Sequence, residues 1–290
     1  MNILITGAGS YVGTSVERWL RKDPNVRVDT IDTYDNHWRS VDFTKYDVIF
    51  HVAGIAHVNA NPQMAPQYYK VNRDLTVDIA ICAKNANVKQ FIFMSSMIVY
   101  HESQTLDSEV ITFDTIPMPN GFYGDSKLQA EIAIKQLETA EFKVCVLRPP
   151  MIYGPNSKGN FPKLVKLARF VPVFPAYHNQ RSMLYIDNLA EFVRLAIKYE
   201  LSGTFYPQNK ELSDTVEIVK FFAHEAKHKV YLCKWLNPLV RIASRFLQPV
   251  NKMFATYYYD MSMSKMDFDY QVVSFKDSLK IISDSYREKY

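Results

Sequence analysis

Short runs of consecutive apolar residues alternate with longer amphipathic stretches through the first half of the chain. The runs at Asn2–Thr6, 26–31, 47–52, 90–95 and Lys143–Leu147 read as strands, and all but 26–31 are apolar without a polar residue at every second place. Strands of that kind are covered on both faces, whereas strands with one face in water alternate. Between them, residues 11–21, 65–84 and 121–139 carry the three-to-four-residue spacing of helices. Strands interleaved with helices predict an α/β fold, a doubly wound Rossmann-type parallel sheet, whose ligands bind at the carboxyl ends of the strands.

After Arg148-Pro149-Pro150 the texture changes, and prolines at 155, 162, 172, 175 and 207 break the chain into short segments. Ile186–Lys198 still reads as a helix returning to the first domain. The pattern predicts a doubly wound domain from 1–150 plus about 182–201. Residues 151–181 and 202–290 then form most of a smaller, discontinuous substrate-binding lobe.

Thr6-Gly7-Ala8-Gly9-Ser10-Tyr11-Val12-Gly13 lies where the first strand becomes the first helix. Glycine permits a tight turn and close backbone approach, and a helix N-terminus offers N–H groups to a pyrophosphate. Asp32 ends the second strand, where an acid accepts hydrogen bonds from the adenosine ribose and repels a 2′-phosphate. These positions point to NAD. In Tyr123-Gly124-Asp125-Ser126-Lys127 a tyrosine and a lysine stand four apart at a helix start, hence on one face. The ordinary tyrosine pKa of about 10 makes it a poor base at neutral pH, and a neighbouring ammonium favours the phenolate. Ser96 follows the fourth strand and can share the same substrate oxygen.

With these motifs in place, the chain resembles the extended short-chain dehydrogenase/reductases, in particular the NAD-dependent epimerase/dehydratase family acting on nucleotide sugars. The resemblance rests on the glycine turn, Asp32, Asp42-Phe43, Ala53-Gly54, Asn72, Ser95-Ser96 with Val99-Tyr100, and Tyr123 with Lys127. Arg148-Pro149, Tyr153-Gly154-Pro155, Arg181-Ser182 and Tyr185-Ile186-Asp187-Asn188-Leu189 extend it. It implies Tyr123 as acid/base, Ser96 as its partner on the substrate hydroxyl, and Lys127 as the contact to the cofactor ribose. It also implies that Gly7, Gly9, Ser10, Tyr11, Val12, Gly13, Asp32, Asn72 and Pro149 lie along NAD. Asp42-Phe43 would flank the adenine, and Ala53-Gly54 would line the cofactor path. On the substrate side it implies Met97, Asn160, Phe161 and Arg181, the last as a planar fork on a diphosphate. Lys158 and Lys163 stand close by in sequence.

Departures narrow the reading. Ser10 replaces the family's middle glycine, so the turn is expected to keep its path with less backbone freedom. Met97 and Ile98 stand where nucleotide-sugar 4,6-dehydratases carry an acid pair, which argues against dehydration. Met97 also replaces the cysteine of the fucose-synthase type, and Met151 an asparagine of galactose-type 4-epimerases. The run from Arg148 to Phe161 is more similar to bacterial surface-polysaccharide enzymes, which include 4-epimerases and 4-keto-sugar reductases on UDP-linked N-acetylated sugars. The leading expectation is a UDP-hexose or UDP-N-acetylhexosamine 4-epimerase; the runner-up is the reductase. A non-catalytic NAD sensor would have no need of Ser96, Tyr123 and Lys127. By analogy, the helices at 65–84 and 121–139 would pair in a homodimer.

Composition adds exclusions. A net charge of +4 over 290 residues suits a phosphate-bearing ligand and is too weak to argue for nucleic acid. Cys82, Cys145 and Cys233 lack metal-ligand spacing, as do the seven histidines, so no metal and free thiols in a reducing compartment are expected. The N-terminus enters a strand at once and no apolar run approaches the roughly 20 residues of a membrane span, which predicts a cytoplasmic protein. Residues 227–254 interleave six basic side chains with Trp235, Leu239, Ile242 and Phe246. The stretch fits a basic amphipathic helix at a membrane surface or partner. The plainer expectation is a lobe helix whose apolar stripe packs inward and which Pro249 ends.

Overall fold

A computed structural model describes residues 1–56, 61–101 and 105–287. The strands run in chain order as β1 (Asn2–Thr6), β2 (Arg27–Ile31), β3 (Val48–His51), β4 (Gln90–Met94), β5 (Glu109–Ile111) and β6 (Lys143–Leu147). There follow β7 (Met151–Tyr153), β8 (Val173–Pro175), β9 (Met183–Tyr185), β10 (Gly203–Phe205), β11 (Tyr231–Cys233) and β12 (Tyr257–Tyr259). The helices are α1 (Tyr11–Leu20), α2 (Ala65–Tyr68), α3 (Leu75–Asn85), α4 (Phe122–Lys135) and α5 (Asn160–Ala168). Then come α6 (Ile186–Lys198), α7 (Thr215–Glu225), α8 (Asn237–Ser244), α9 (Gln248–Phe254) and α10 (Phe275–Arg287).

Six strands make one parallel sheet in the order β2-β1-β3-β4-β6-β10. Alternate residues of each strand enter different cores. Ile3, Ile5, Phe50 and Ile92 join the cluster that includes Val16 of α1 and Leu189 of α6. Leu4, Ile49, Phe91 and Phe93 join the cluster with Ile79 of α3 and Ala130 and Ile134 of α4. Both faces of β1, β3, β4 and β6 are therefore dry, which is why these strands read as apolar runs, whereas β2 at the edge is only partly buried. Each such fully buried side chain contributes about 1.5–3 kcal/mol relative to exposure.

The remaining strands form three parallel pairs, β7 with β9, β8 with β11 and β5 with β12. β10 belongs to the main sheet, within the stretch 202–290 that composition assigns mostly to the second lobe. A three-residue strand shows no period; its place is fixed by pairing with β6 and by Arg148 N–H donating to Phe205 O at 2.9 Å.

Two helix expectations are corrected. The stretch at 65–84 is interrupted by a π turn, Tyr69–Asp74. Residues 227–254 do not form one inward-packing helix. They fold as β11, a 3-10 turn (Lys234–Leu236), α8 and α9. Pro249 opens α9 instead of ending a helix, because the first turn has no use for its missing N–H. Trp235, Leu239, Ile242 and Phe246 face solvent. Among the described residues no helix is long and apolar enough to cross a membrane.

Candidate active site

The site is built at the carboxyl edge of the sheet, starting with the turn after β1. Gly7 and Gly9 have φ of +88° and +73°. A Cβ on Gly7 would lie 2.9 Å from Ala53 N, so glycine lets this turn meet the end of β3. A Cβ on Gly9 would meet nothing within 4 Å, so that side of the turn is open for a ligand. Gly7 and Ala8 N–H both donate to Ile31 O at 2.9 Å, which ties the turn to β2 just before Asp32. Ser10 fits the path of the turn. Its φ of −70° suits any residue, and its Oγ caps α1 by accepting from Gly13 N–H at 3.1 Å. A Cβ on Gly13 would press on that same Oγ at 2.7 Å. Tyr11 and Val12 begin α1, whose first N–H groups need acceptors from outside the helix. A pyrophosphate fits this cradle.

Asp32 is exposed beside the turn and accepts from Tyr34 N–H at 2.9 Å. Asp42 caps the turn Phe43–Lys45, and Thr44 donates to it through N–H and Oγ1, which holds its carboxyl below the usual range. Phe43 is buried in the cluster with Trp38 and Ile79, so its ring cannot flank an adenine and only its backbone is left for that contact.

The π turn explains Asn72. The extra residue rolls this fully buried side chain toward the chain leaving β3. Asn72 accepts from Ile55 N–H at 2.8 Å, donates to Ile55 O at 3.1 Å, and donates to Ser126 Oγ at 3.1 Å. Tyr69 OH donates to Asp125 at 2.6 Å, so the turn is fastened to α4 at two points. Beneath it, His51 is fully buried at the end of β3, with Nδ1 2.7 Å from Thr6 Oγ1 and Nε2 2.9 Å from Thr76 Oγ1. Thr76 donates to Asn72 O at 2.8 Å, so Nε2–H donates to Thr76 and Nδ1 accepts from Thr6. Burial, and secondarily the charge of Lys127, hold the imidazole pKa down at about 3.

Tyr123 and Lys127 stand one turn apart on α4. Lys127 is only 4% exposed, and its ammonium donates to Met94 O at 2.9 Å. Burial lowers its pKa to about 8, against the pull of Glu131. A Cβ on Gly54 would lie 3.1 Å from Lys127 Nζ and 3.0 Å from Asn72 Oδ1, so glycine leaves the passage to this ammonium open. Tyr123 is half-buried with its ring 6.0 Å from that of Tyr68. Gly124 matters as much, although its signal in the motif is easily passed over. A Cβ there would lie 2.5 Å from Ile98 O, so glycine lets α4 lie against the turn that Ser96 caps. Ser96 Oγ accepts from Ile98 N–H at 3.3 Å.

Behind the helix lies a buried ion pair that the tyrosine–lysine pattern does not announce. Glu131, one turn beyond Lys127, bonds Arg148 Nη2 at 2.6 Å and receives Ser95 Oγ–H. Arg148 also donates to Tyr100 OH at 3.0 Å. Met97 N–H donates to Pro149 O at 2.9 Å. The Met97 side chain sinks into the cluster with Tyr100, Ile111 and Tyr259, which leaves its backbone rather than its thioether for substrate.

On the substrate side, Asn160 is exposed at the first position of α5, after Gly159 with φ +97°. Phe161 follows, and only its backbone is left for a ligand. Its ring is buried 4.9 Å from that of Tyr153 and packs in the core. Arg181 pairs through its backbone with Ser213 and Tyr257, and its guanidinium donates to Lys252 O. Burial lowers its pKa to about 10, and among the described residues no carboxylate pairs with it. A guanidinium withdrawn from water that, among the described residues, meets a carbonyl and no carboxylate has donors left for an anion.

The family is shown by comparison. The model of the NAD dependent epimerase/dehydratase family matches residues 3–206, and the chain belongs to that family. It is 29% identical over 220 residues to a UDP-glucose 4-epimerase of Vibrio cholerae, covering 68% of this chain and 67% of that one. It is 26% identical over 223 residues to N-acetyl-alpha-D-glucosaminyl-diphospho-ditrans,octacis-undecaprenol 4-epimerase of Escherichia coli O157:H7, covering 70% and 65%. The matches span between about half and two thirds of such relatives' own length. In fold it is similar to a UDP-glucuronic acid 4-epimerase from Bacillus cereus solved with NAD, with a TM-score of 0.76, 20% identity and full coverage of both chains. The protein is therefore an NAD-dependent enzyme of this family.

Proposed function

We propose that the protein is a nucleotide-sugar 4-epimerase whose substrate is a UDP-linked hexose or N-acetylhexosamine. The observation that carries this reading is the placing of Tyr123 one helical turn before a buried ammonium, Lys127, at the carboxyl edge of the sheet beside Gly54. The relatives from Vibrio cholerae and Escherichia coli, both named as 4-epimerases, support it.

Tyr123 takes the proton of the sugar 4-hydroxyl and later returns it. Lys127, one helical turn away, favours the phenolate through its charge and remains mostly protonated at neutral pH. Ser96 donates to the same substrate oxygen. Arg181 and the N-terminus of α5 hold the diphosphate, which leaves the sugar ring free to present either face. NAD, cradled by the Gly7–Gly13 turn with Asp32 on its ribose, supplies the hydride acceptor and donor at C4.

A 4-keto-sugar reductase would use the same residues, so assay conditions separate the two. Purified protein with no added cofactor is incubated with a panel of UDP-hexoses and UDP-N-acetylhexosamines and followed by NMR. Inversion at C4 of one sugar supports the epimerase. Turnover only of a 4-keto sugar with added NADH replaces it with the reductase. We place the protein in the cytoplasm, in surface-polysaccharide synthesis, as a homodimer joined through α3 and α4, where Ile81 and Ile132 are exposed. A monomer mass by light scattering at micromolar concentration would refute the dimer.

A further inference from the structure

We propose that the face formed by the turn Lys234–Leu236 and α8 is a docking surface for a bilayer containing anionic lipids. Trp235, Leu239, Ile242 and Phe246 follow one another at helical spacing and are 70%, 55%, 56% and 80% exposed. Val240, on the opposite side of α8, is 6% exposed and carries the packing of the helix onto the lobe. The large apolar side chains are therefore not the inward stripe of this helix but a second, outward one. Contiguous exposed apolar side chains of this size mark an interaction surface.

Charge decides what covers it. Residues 226–259 hold six Lys and Arg and no Asp or Glu. Lys234, Arg241 and Arg245 are exposed on the same short segment as the apolar face, Arg241 farthest round from it, and among the described residues none of them makes an ion pair. Two copies of this face would bring like charges together, which disfavours self-association through it. A lipid surface with phosphate headgroups satisfies both features. The apolar side chains enter the headgroup–acyl boundary while the cations meet the phosphates. Tryptophan, with an apolar body and one N–H donor, suits that depth. The helix is eight residues long, so it lies on the membrane and does not span it.

The surface is joined to the candidate diphosphate site. α9 follows α8 directly, and Lys252 in it offers the carbonyl that receives the Arg181 guanidinium. Docking through α8 therefore sets the lobe that carries Arg181 against the headgroup plane. The docking itself is independent of which sugar the enzyme turns over.

The test uses the full chain and flotation with vesicles of phosphatidylcholine alone or mixed with phosphatidylglycerol. The expected result is binding to the anionic vesicles, weakened by salt and absent with the neutral ones. Arg241→Glu with Arg245→Glu, and separately Trp235→Ser with Phe246→Ser, each reduce binding at least about tenfold. Both double variants keep the wild-type unfolding midpoint and retain NAD as wild type does, because the four side chains are exposed. Equal binding of wild type and variants, or no binding to anionic vesicles, overturns the proposal. So does a dimer in light scattering that the Trp235→Ser/Phe246→Ser variant dissociates, since the face would then belong to a second copy.

Discussion

Asn72 Nδ2 donates to Ser126 Oγ at 3.1 Å, side chain to side chain, across the seam between the π turn and the helix that carries Tyr123 and Lys127. The same amide holds both polar groups of Ile55, so one side chain fastens the strand exit, the turn and α4 together. Asn72→Leu keeps the volume and removes every bond. With Ile55 N–H and O left without these partners, stability falls by about 2–3 kcal/mol, read as a lower urea midpoint. Activity falls further than stability explains, because Gly54 and Lys127 lose their common reference. A variant of wild-type stability would show that the amide carries little.

The Glu131–Arg148 pair makes a larger prediction. Both side chains are buried, and removing one partner leaves the other charge without compensation. Glu131→Gln is expected to cost about 3–5 kcal/mol in chemical denaturation, well above a surface ion pair. The Ser95 hydroxyl loses its carboxylate in the same variant, and Ser96 next to it loses its fixed position.

His51 links stability to pH. Its native pKa, about 3, lies below the unfolded value near 6.5, so the unfolded chain takes up the extra proton as pH falls. The stabilisation is complete above about pH 6.5 and is lost toward pH 3, at roughly 1.4 kcal/mol per unit within that window. His51→Gln removes this contribution. Unfolding midpoints measured between about pH 6.5 and 5 should fall less steeply for the variant than for wild type. Parallel slopes would mean that another group dominates.

Much of this site is written locally. The glycine turn, Asp32 at a strand end, and Tyr123 four residues before Lys127 are short-range patterns, and the unbroken apolar runs show a sheet covered on both faces. What escaped depends on partners distant in sequence. β10 is three residues long and is a strand only because β6 lies beside it. The π turn has no composition of its own; it is stabilised by what Asn72 reaches on other elements. The side chains of Phe43, Met97 and Phe161 match the family's sequence positions but sink into the core, and linear order does not tell a ring's direction. That Ser10 caps α1 depends on its Oγ reaching Gly13 N–H, which the motif alone does not state. The stripe in α8 has the right period for a buried helix, and only exposure reveals that it faces outward.

Arg181 offers a separable test of substrate binding. Its guanidinium is desolvated without an acid partner, so Arg181→Met should leave the unfolding midpoint unchanged or raise it. Affinity for UDP, measured by calorimetry, should fall at least about tenfold, the loss of one charged hydrogen bond or more. Retained affinity would move the diphosphate to another part of the lobe.

The central claim is that Tyr123 serves a reaction that opens and closes at C4 of a nucleotide sugar within one active site. The most direct measurement gives the enzyme its UDP-sugar deuterated at C4, without added cofactor, and reads configuration and isotope together by NMR. The account predicts inversion at C4 with deuterium retained, and loss of turnover by at least about a hundredfold in Tyr123→Phe. Deuterium washed into solvent, or inversion undiminished in Tyr123→Phe, would contradict it.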